Sequence, residues 1–497
     1  MRVASRPLVL GCLLIPGAFL ATPSVGQGDP ARVGRWEAPK PWPITGIHAA
    51  VLPTAEVMHL TYLEVETELE TAATVWNPRT GNFRDVSPGF GDMFCAGHSL
   101  LPSGELFVAG GFAGLEQFLC NGRGVKPAHI FDPFSYKWRK VGNMSFARFY
   151  PTVFSLADGR QLIIGGQGEN CQYIPIMETL SLDEKLNRVR GPSRIMKDYP
   201  RAFLLSDGRV VHVGVEPTTS YLDKKLKFWK SVTVTNLGRI RYEPTAFYVP
   251  GYRDRVMICG GYQTEWPDGT RDNPTATCEA IDALSANPSW RSMAPMAAAR
   301  GDINSVILPD GKVLVVGGGE HHRYTAPRLK PELYDPATNT WTTMAPERFG
   351  RMYHSTAVLL PDGRVLSAGQ DNLDGTAPES GKWGEIFSPP YLFRGKRPVV
   401  RGVPADADYD STIPMRVKKT KAAKVGRVVL IGLSAVTHSH NSGQRYVPLE
   451  FTPTGKRTLE AKITANANLA PPGYYMLFVL NDKGVPSVAQ IIRINLG

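Results

Sequence analysis

The apolar positions of this chain fall into short runs, each introduced by a tight polar turn and closed by small residues. The clearest read LPSGELFVAGG at 101–111, LADGRQLIIGG at 156–166, LSDGRVVHVG at 205–214, LPDGKVLVVGG at 308–318 and LPDGRVLSAG at 360–369. A divergent copy, GYRDRVMICGG, occupies 251–261. Glycine after Asp or Ser accommodates the positive φ of a tight hairpin turn. The β-branched run that follows predicts a buried strand. A second phrase, an aromatic placed after a polar turn, precedes several copies: FDPFSYKWRKVGNM at 131–144, NPSWRSMAPM at 287–296, YDPATNTWTTMAP at 334–346 and the related WNPRTGNFRDV at 76–86. It predicts a further strand ahead of each hairpin.

The copies end near residues 111, 166, 214, 261, 318 and 369, a period of about 50 residues that matches a kelch-type propeller blade. Six units are explicit. A seventh is expected over 35–75, where Trp36 and the segment GIHAAVLP read as a worn copy. The pattern stops near Pro390. From LFRGKRPVV onward the chain offers short strands such as RVVLIGL at 427–433 and YYMLFVLN at 474–481, with the length and texture of an immunoglobulin-like sandwich. The predicted architecture is all-β: a signal peptide over 1–26, a seven-bladed kelch-type β-propeller over 27–392 and an immunoglobulin-like β-sandwich over 393–497. Such a scaffold does not specify a function, which resides in sites.

Composition adds to this picture at three points. Arg2 and Arg6 form a positive n-region ahead of an apolar stretch over 7–22 that is too short and too broken by Pro and Gly to span a membrane. It reads as a secretory signal cleaved between Ala21 and Gln27, which puts the mature protein outside the cell, at its surface or in the periplasm. Leu10-Gly11-Cys12 faintly resembles a lipoprotein processing site, after a very short apolar run. The net charge of +11 falls to +9 once Arg2 and Arg6 leave with the leader, enough for weak attraction to anionic cell-surface polymers. No basic run interleaved with aromatics speaks for nucleic acid, and a monomer is expected. Beyond Cys12 five cysteines remain, Cys95, Cys120, Cys171, Cys259 and Cys278, and an odd count leaves at least one sulfur for other chemistry. Sequence alone does not fix the pairing; Cys120–Cys171 and Cys259–Cys278, with Cys95 left over, is the expected arrangement.

Three segments carry candidate chemistry: Met352-Tyr353-His354 and Arg148-Phe149-Tyr150, each opening a blade strand, and Thr437-His438-Ser439-His440 in the C-terminal domain. Singly each is ordinary, and Cys95 in FCAGHSLL would be a buried thiol. Together they resemble the galactose oxidase and glyoxal oxidase family of copper-radical oxidases. The resemblance rests on Phe94-Cys95, Ala147-Arg148-Phe149-Tyr150, Tyr353-His354-Ser355 ahead of LLPDGRV, Thr437-His438, Gln444-Arg445 and PPGYYMLFVLNDKGVPSVA at 471–489, in that order along the chain.

The resemblance implies a role for each residue. Tyr150 would be the equatorial tyrosine joined through a thioether to Cys95. Tyr353 would be the axial tyrosine, and His354 and His438 the histidine ligands of one copper ion. His440 competes with His438, which is favoured because the family histidine directly follows Thr. Two imidazoles and two phenol oxygens suit tetragonal Cu(II). The thioether radical supplies the second oxidising equivalent, and Tyr353 acts as general base. Dioxygen would leave as hydrogen peroxide after oxidation of a small aldehyde or primary alcohol.

Adjacent Tyr353 and His354 pose a geometric difficulty, since neighbouring strand residues point to opposite faces; they can share a metal only at a strand end, bulge or loop. Two departures lean toward the glyoxal oxidase side. Little chain precedes the first blade, where galactose oxidase carries a carbohydrate-binding domain. The segment GGQGENCQY at 165–173 also lacks the tryptophan that galactose oxidase stacks on its thioether, so Gln167 or Tyr173 is expected there. His321 and His322 read as exposed loop residues or as pocket-mouth residues. The competing readings are a galactose oxidase-like alcohol oxidase, a non-catalytic kelch adhesion or glycan-binding protein, and a hydrolase propeller. The last would want an Arg cluster and carboxylates around a Tyr, and no such set stands out.

Overall fold

A computed structural model describes residues 28–65, 68–112, 123–266, 270–322, 325–370 and 379–497. The leader expected over 1–26 and Cys120, with its expected bond to Cys171, lie outside the described residues. Among the described residues no helix is long and apolar enough to cross a membrane.

The repeats form four-stranded antiparallel units that run from an innermost to an outermost strand. Blade 1 begins at His48–Val51, blade 2 at Gly97–Leu100, blade 4 at Arg201–Leu204, blade 5 at Thr245–Tyr248, blade 6 at Gly301–Ile307 and blade 7 at Ser355–Leu359. Blade 3 shares the 19-residue strand Lys137–Ser155 with blade 2, whose outermost strand is the first half of it. Seven blades are thus counted among the described residues, and side-chain bonds stitch their inner strands together. Thr152 donates to the Pro200 carbonyl at 2.9 Å, and Thr245 and Ser305 hydroxyls lie 2.7 Å apart. Asn304 donates to the Ser355 carbonyl at 3.2 Å, and Thr356 to the Gly46 carbonyl at 3.0 Å, which joins blade 7 to blade 1.

A recurrent tryptophan links blades 2, 5, 6 and 7 to their predecessors. The Trp138 indole N–H donates to the Val86 carbonyl, Trp290 to Thr219 and Trp341 to the Ala294 carbonyl. Trp36 does the same with the Ala345 carbonyl at 2.8 Å. This corrects the reading of 35–75 as one unit. Arg35–Trp36 pairs with Trp383–Ser388 and completes blade 7, whereas GIHAAVLP starts blade 1.

The paired glycines also have a mechanical cause. Gly110 and Gly317 hold φ of 81° and 71°, and a Cβ on either would sit 2.2 Å from the carbonyl oxygen of Arg148 or Arg351 in the next blade. The following glycine donates its N–H to that same oxygen. Each of these arginines is fully buried. Arg148 pairs with Glu178 at 2.9 Å, Arg241 with Glu279 at 2.6 Å, Arg300 with Glu332 at 2.8 Å and Arg351 with Glu385 at 3.3 Å. The carboxylates in turn accept backbone N–H groups, as Glu332 does from Ala297 and Ala298. Removing one partner leaves a buried charge exposed to no solvent. Arg300→Met is therefore expected to cost about 3–5 kcal/mol, and Arg300→Met with Glu332→Leu to recover much of it; calorimetric melting of both variants checks this.

The C-terminal strands form two sheets. One contains Val399–Arg401, Thr412–Lys418, Thr458–Lys462 and Phe451–Pro453; the other is centred on Val425–Gly432 and Gly473–Asn481. The second sheet is apolar on both faces because it packs twice. Val428 and Leu430 face the sandwich core, while Val429 and Ile431 join a cluster with propeller residues such as Leu314 and Leu366. The first sheet alternates strictly buried and exposed along 412–418. Cys259 and Cys278 are cross-strand partners in blade 5 and are disulfide-bonded, as expected.

Candidate metal and radical centre

One position recurs at the start of the innermost strand of successive blades, with left-handed backbone each time: Cys95 (φ 56°), Tyr150 (61°), Tyr199 (45°), Glu243 (47°), Asp302 (55°) and His354 (64°). Left-handed φ is unusual for residues with a Cβ. Here it turns one side chain per blade out of the strand's alternation near the head of the inner strand. It also resolves the difficulty over Tyr353 and His354. The turn at His354 brings both rings to one side, stacked with centroids 3.8 Å apart and planes at 28°.

Blade 1 supplies no such residue. The gap is filled from the sandwich, where Ala435–Thr437 pairs with His48–Ala50 and carries His438 (φ 44°) into the hub. Arg201 fixes this hairpin: its buried guanidinium donates to the carbonyls of Tyr199 at 2.6 Å, Pro244 at 3.0 Å and His438 at 3.0 Å. The Thr437 hydroxyl lies 2.7 Å from His438 Nδ1, which orients the ring.

Around the hub axis the candidate side chains meet. Among the described residues, Cys95, His354 and His438 offer atoms within 4.8 Å of one another. Cys95 Sγ is 3.5 Å from His438 Nε2. The Tyr150 and Tyr353 hydroxyls are 2.6 Å apart, and the His438 ring lies 5.0 Å from Tyr150, 5.3 Å from Tyr353 and 4.6 Å from His354. The Tyr150 backbone N–H donates to the Cys95 carbonyl at 2.9 Å, which ties blades 2 and 3 together at this point. His440 is buried nearby, but it is not part of this group.

Burial sets the electrostatics. It pushes the Cys95 thiol well above its usual range, against a hydrogen bond with Tyr150 that pulls it back. Desolvation first, then Cys95, raises Tyr150, and desolvation raises Tyr353 likewise. His438 is held neutral, well below its ordinary value, by burial and by His354. Neutral imidazoles are ready ligands, and buried phenols ionise once a cation sits beside them. The donor set of two imidazoles and two phenol oxygens therefore fits copper.

Two contributors, Tyr199 and His48, escaped the sequence reading. Tyr199 stacks on His438 at 4.7 Å and 28°, lies 5.1 Å from the Tyr150 ring and donates to the Ala96 carbonyl at 3.2 Å. His48 accepts the Cys95 backbone N–H at 3.1 Å. Gln167 is buried and donates to Asp198 at 2.8 Å, with Tyr173 bridged beside it. The two loop histidines part company. His321 is exposed against Asp272, whereas His322 is buried against Asp302 with its ring 4.5 Å from Tyr353. Arginine and carboxylates do gather beside Tyr353, contrary to the sequence reading. Arg271 is engaged by Glu243 at 2.6 Å and Glu265 at 3.1 Å, so its charge is matched within the protein.

Residues 397–494 match the family model of the galactose oxidase-like early set domain, and 248–379 match that of the glyoxal oxidase N-terminus. The chain is 28% identical to a galactose oxidase of Gibberella zeae, covering 93% of this chain and 71% of that protein. It is 29% identical to the aldehyde oxidase GLOX of Vitis pseudoreticulata, covering 81% and 82%. A solved structure of a fungal alcohol oxidase of the AA5 family, in complex with copper, superposes with a TM-score of 0.83 at 24% identity, over 93% of this chain and all of that one.

Proposed function

We propose that the chain, which matches family models and relatives of the galactose oxidase and glyoxal oxidase type, is a copper-radical oxidase of that family, exported and acting on small aldehydes or primary alcohols. Two electrons and two protons leave the substrate and reduce dioxygen to hydrogen peroxide. For an alcohol, RCH2OH + O2 gives RCHO + H2O2; for an aldehyde, RCHO + H2O + O2 gives RCOOH + H2O2. The observation that supports this most is the convergence of Cys95, Tyr150, Tyr353, His354 and His438 from three blades and the sandwich on one buried point.

Tyr150, Tyr353, His354 and His438 would hold the copper ion, which when bound supplies a one-electron couple and a Lewis acid for the substrate oxygen. Tyr353 accepts the proton of the substrate hydroxyl at its phenolate oxygen. Tyr150, if bonded through its ring to the Cys95 sulfur, would carry the second oxidising equivalent and would be the group that takes hydrogen from the substrate carbon. Forming that bond costs each partner one hydrogen and needs dioxygen as oxidant. Arg201, Thr437 and Tyr199 position His438 by the contacts described above. Their burial keeps the ring from turning and water from the radical.

The test is peroxide release by the copper-loaded protein over glyoxal, methylglyoxal, glycolaldehyde and galactose. Small aldehydes are expected to exceed galactose by about tenfold or more in kcat/KM, a difference of about 1.4 kcal/mol in transition-state binding. A preference for galactose would move the protein to the galactose oxidase type. No peroxide from any substrate would leave a non-catalytic propeller.

A further inference from the structure

The basicity of this chain is not spread over it. Residues 393–497 hold sixteen Lys and Arg against six Asp and Glu, a net +10 out of +11 for the whole chain. The propeller is close to neutral. Within the sandwich the excess has a definite place. Arg401 and Arg416 are direct cross-strand partners, and Lys418 stands opposite Val399 at the end of the same ladder. All three are exposed, on the face of the sheet that alternates away from Ile413, Met415 and Val417. The adjoining loops extend the patch. The carbonyls of Arg457 and Lys456 accept the N–H groups of Val417 and Ala422 at 2.9 and 3.1 Å, which brings these two cations beside Lys421.

Among the described residues the sandwich's ion pairs are Lys424–Asp482, Lys462–Asp410 and Arg493–Asp406, and none involves Arg401, Arg416, Lys418, Lys421, Lys456 or Arg457. Like charges set directly opposite on neighbouring strands disfavour the sheet; Glu460, opposite Pro414 on the next strand, is exposed on the same face but forms no ion pair with these cations among the described residues, and the face keeps a net positive charge. The direction of the patch is fixed by packing. The inner sheet of the sandwich lies between the propeller and the sandwich core, so the outward face of the other sheet points away from the propeller.

We propose that this face docks the protein onto an anionic polysaccharide of the uronate type, an extended chain with about one carboxylate per sugar. Strands about 5 Å apart present rows of cations on a flat surface, which complements an extended polyanion. Exposed aromatics that would stack nucleobases are absent from this face among the described residues, as are exposed large apolar side chains to insert into a lipid surface. The proposal does not depend on the oxidase reading, because the patch shares no residue with the hub.

The test measures binding of the full mature protein to polygalacturonate, to its methyl ester, to phosphatidylglycerol vesicles and to duplex DNA, at low salt and at about 0.5 M salt, where exposed charges are screened beyond a few ångström. Tight binding to polygalacturonate at low salt is expected, lost at high salt and absent with the ester. The variant Arg401→Gln/Arg416→Gln/Lys418→Gln/Lys421→Gln should bind at least about tenfold more weakly with a shallower salt dependence. Its peroxide production from soluble glyoxal should be unchanged. Should that variant melt early, Lys456→Gln/Arg457→Gln in the loop replaces it, with a loss of about threefold or more. Equal binding by variant and parent, equal binding to the ester, or tighter binding to vesicles or DNA overturns the proposal.

Discussion

Cys95→Ala is expected to lower peroxide production by about a thousandfold or more and to abolish a mass deficit of two hydrogens shared by the peptides holding Cys95 and Tyr150. The expectation follows from where the sulfur sits. Cys95 is fully buried and hydrogen-bonded to Tyr150, and among the described residues it is the free cysteine, since Cys259 and Cys278 are joined to each other. Left to itself a buried thiol with a raised pKa is a poor nucleophile. Its reaction with the tyrosine ring therefore needs copper and dioxygen, so the deficit should appear in the parent only after aerobic copper loading. A parent protein whose peptides keep all their hydrogens after loading would remove the radical mechanism, whatever its activity.

The second large effect separates two histidines two residues apart. His438→Ala should weaken copper binding by about a hundredfold or more and remove activity, while His440→Ala should leave the copper spectrum unchanged. His438 turns into the hub through left-handed backbone at 438 and 439, with Arg201 on its carbonyl and Thr437 on its ring. His440 is equally buried but pairs back with Thr437 in the hairpin. Copper titration followed by optical and paramagnetic resonance spectra distinguishes them without relying on turnover. If His440→Ala loses the metal and His438→Ala keeps it, the ligand assignment is reversed.

Much of this was readable from the residues, for identifiable reasons. Turn glycines and apolar strands repeat with the fold, so blade number and order followed from them, and the candidate hub residues lie in motifs with fixed neighbours. What stayed hidden depends on backbone conformation or on partners far apart in the chain. Trp36 looks like the start of a unit because the ring closes through the N-terminal strand, where Trp36 pairs with Phe387, 351 positions further along the chain, a partner that no local pattern reveals. Tyr199, Glu243 and Asp302 share the hub position with Cys95 and Tyr150, yet their residue types differ, and only the common left-handed φ marks them. A signal did exist: an arginine stands two residues before Tyr150, Glu243 and Asp302 and three before His354. Those arginines form buried pairs with glutamates in the same blade.

The pairing of the sandwich hairpin with blade 1 has a consequence for biosynthesis. His438 is translated after every blade, and its hairpin adds to the inner strand of the first one. A nascent chain can therefore close six or seven blades while the proposed metal-binding group is still incomplete. On the proposed assignment, oxidation chemistry would wait until the chain is nearly finished and its last domain has seated, a timing imposed by topology.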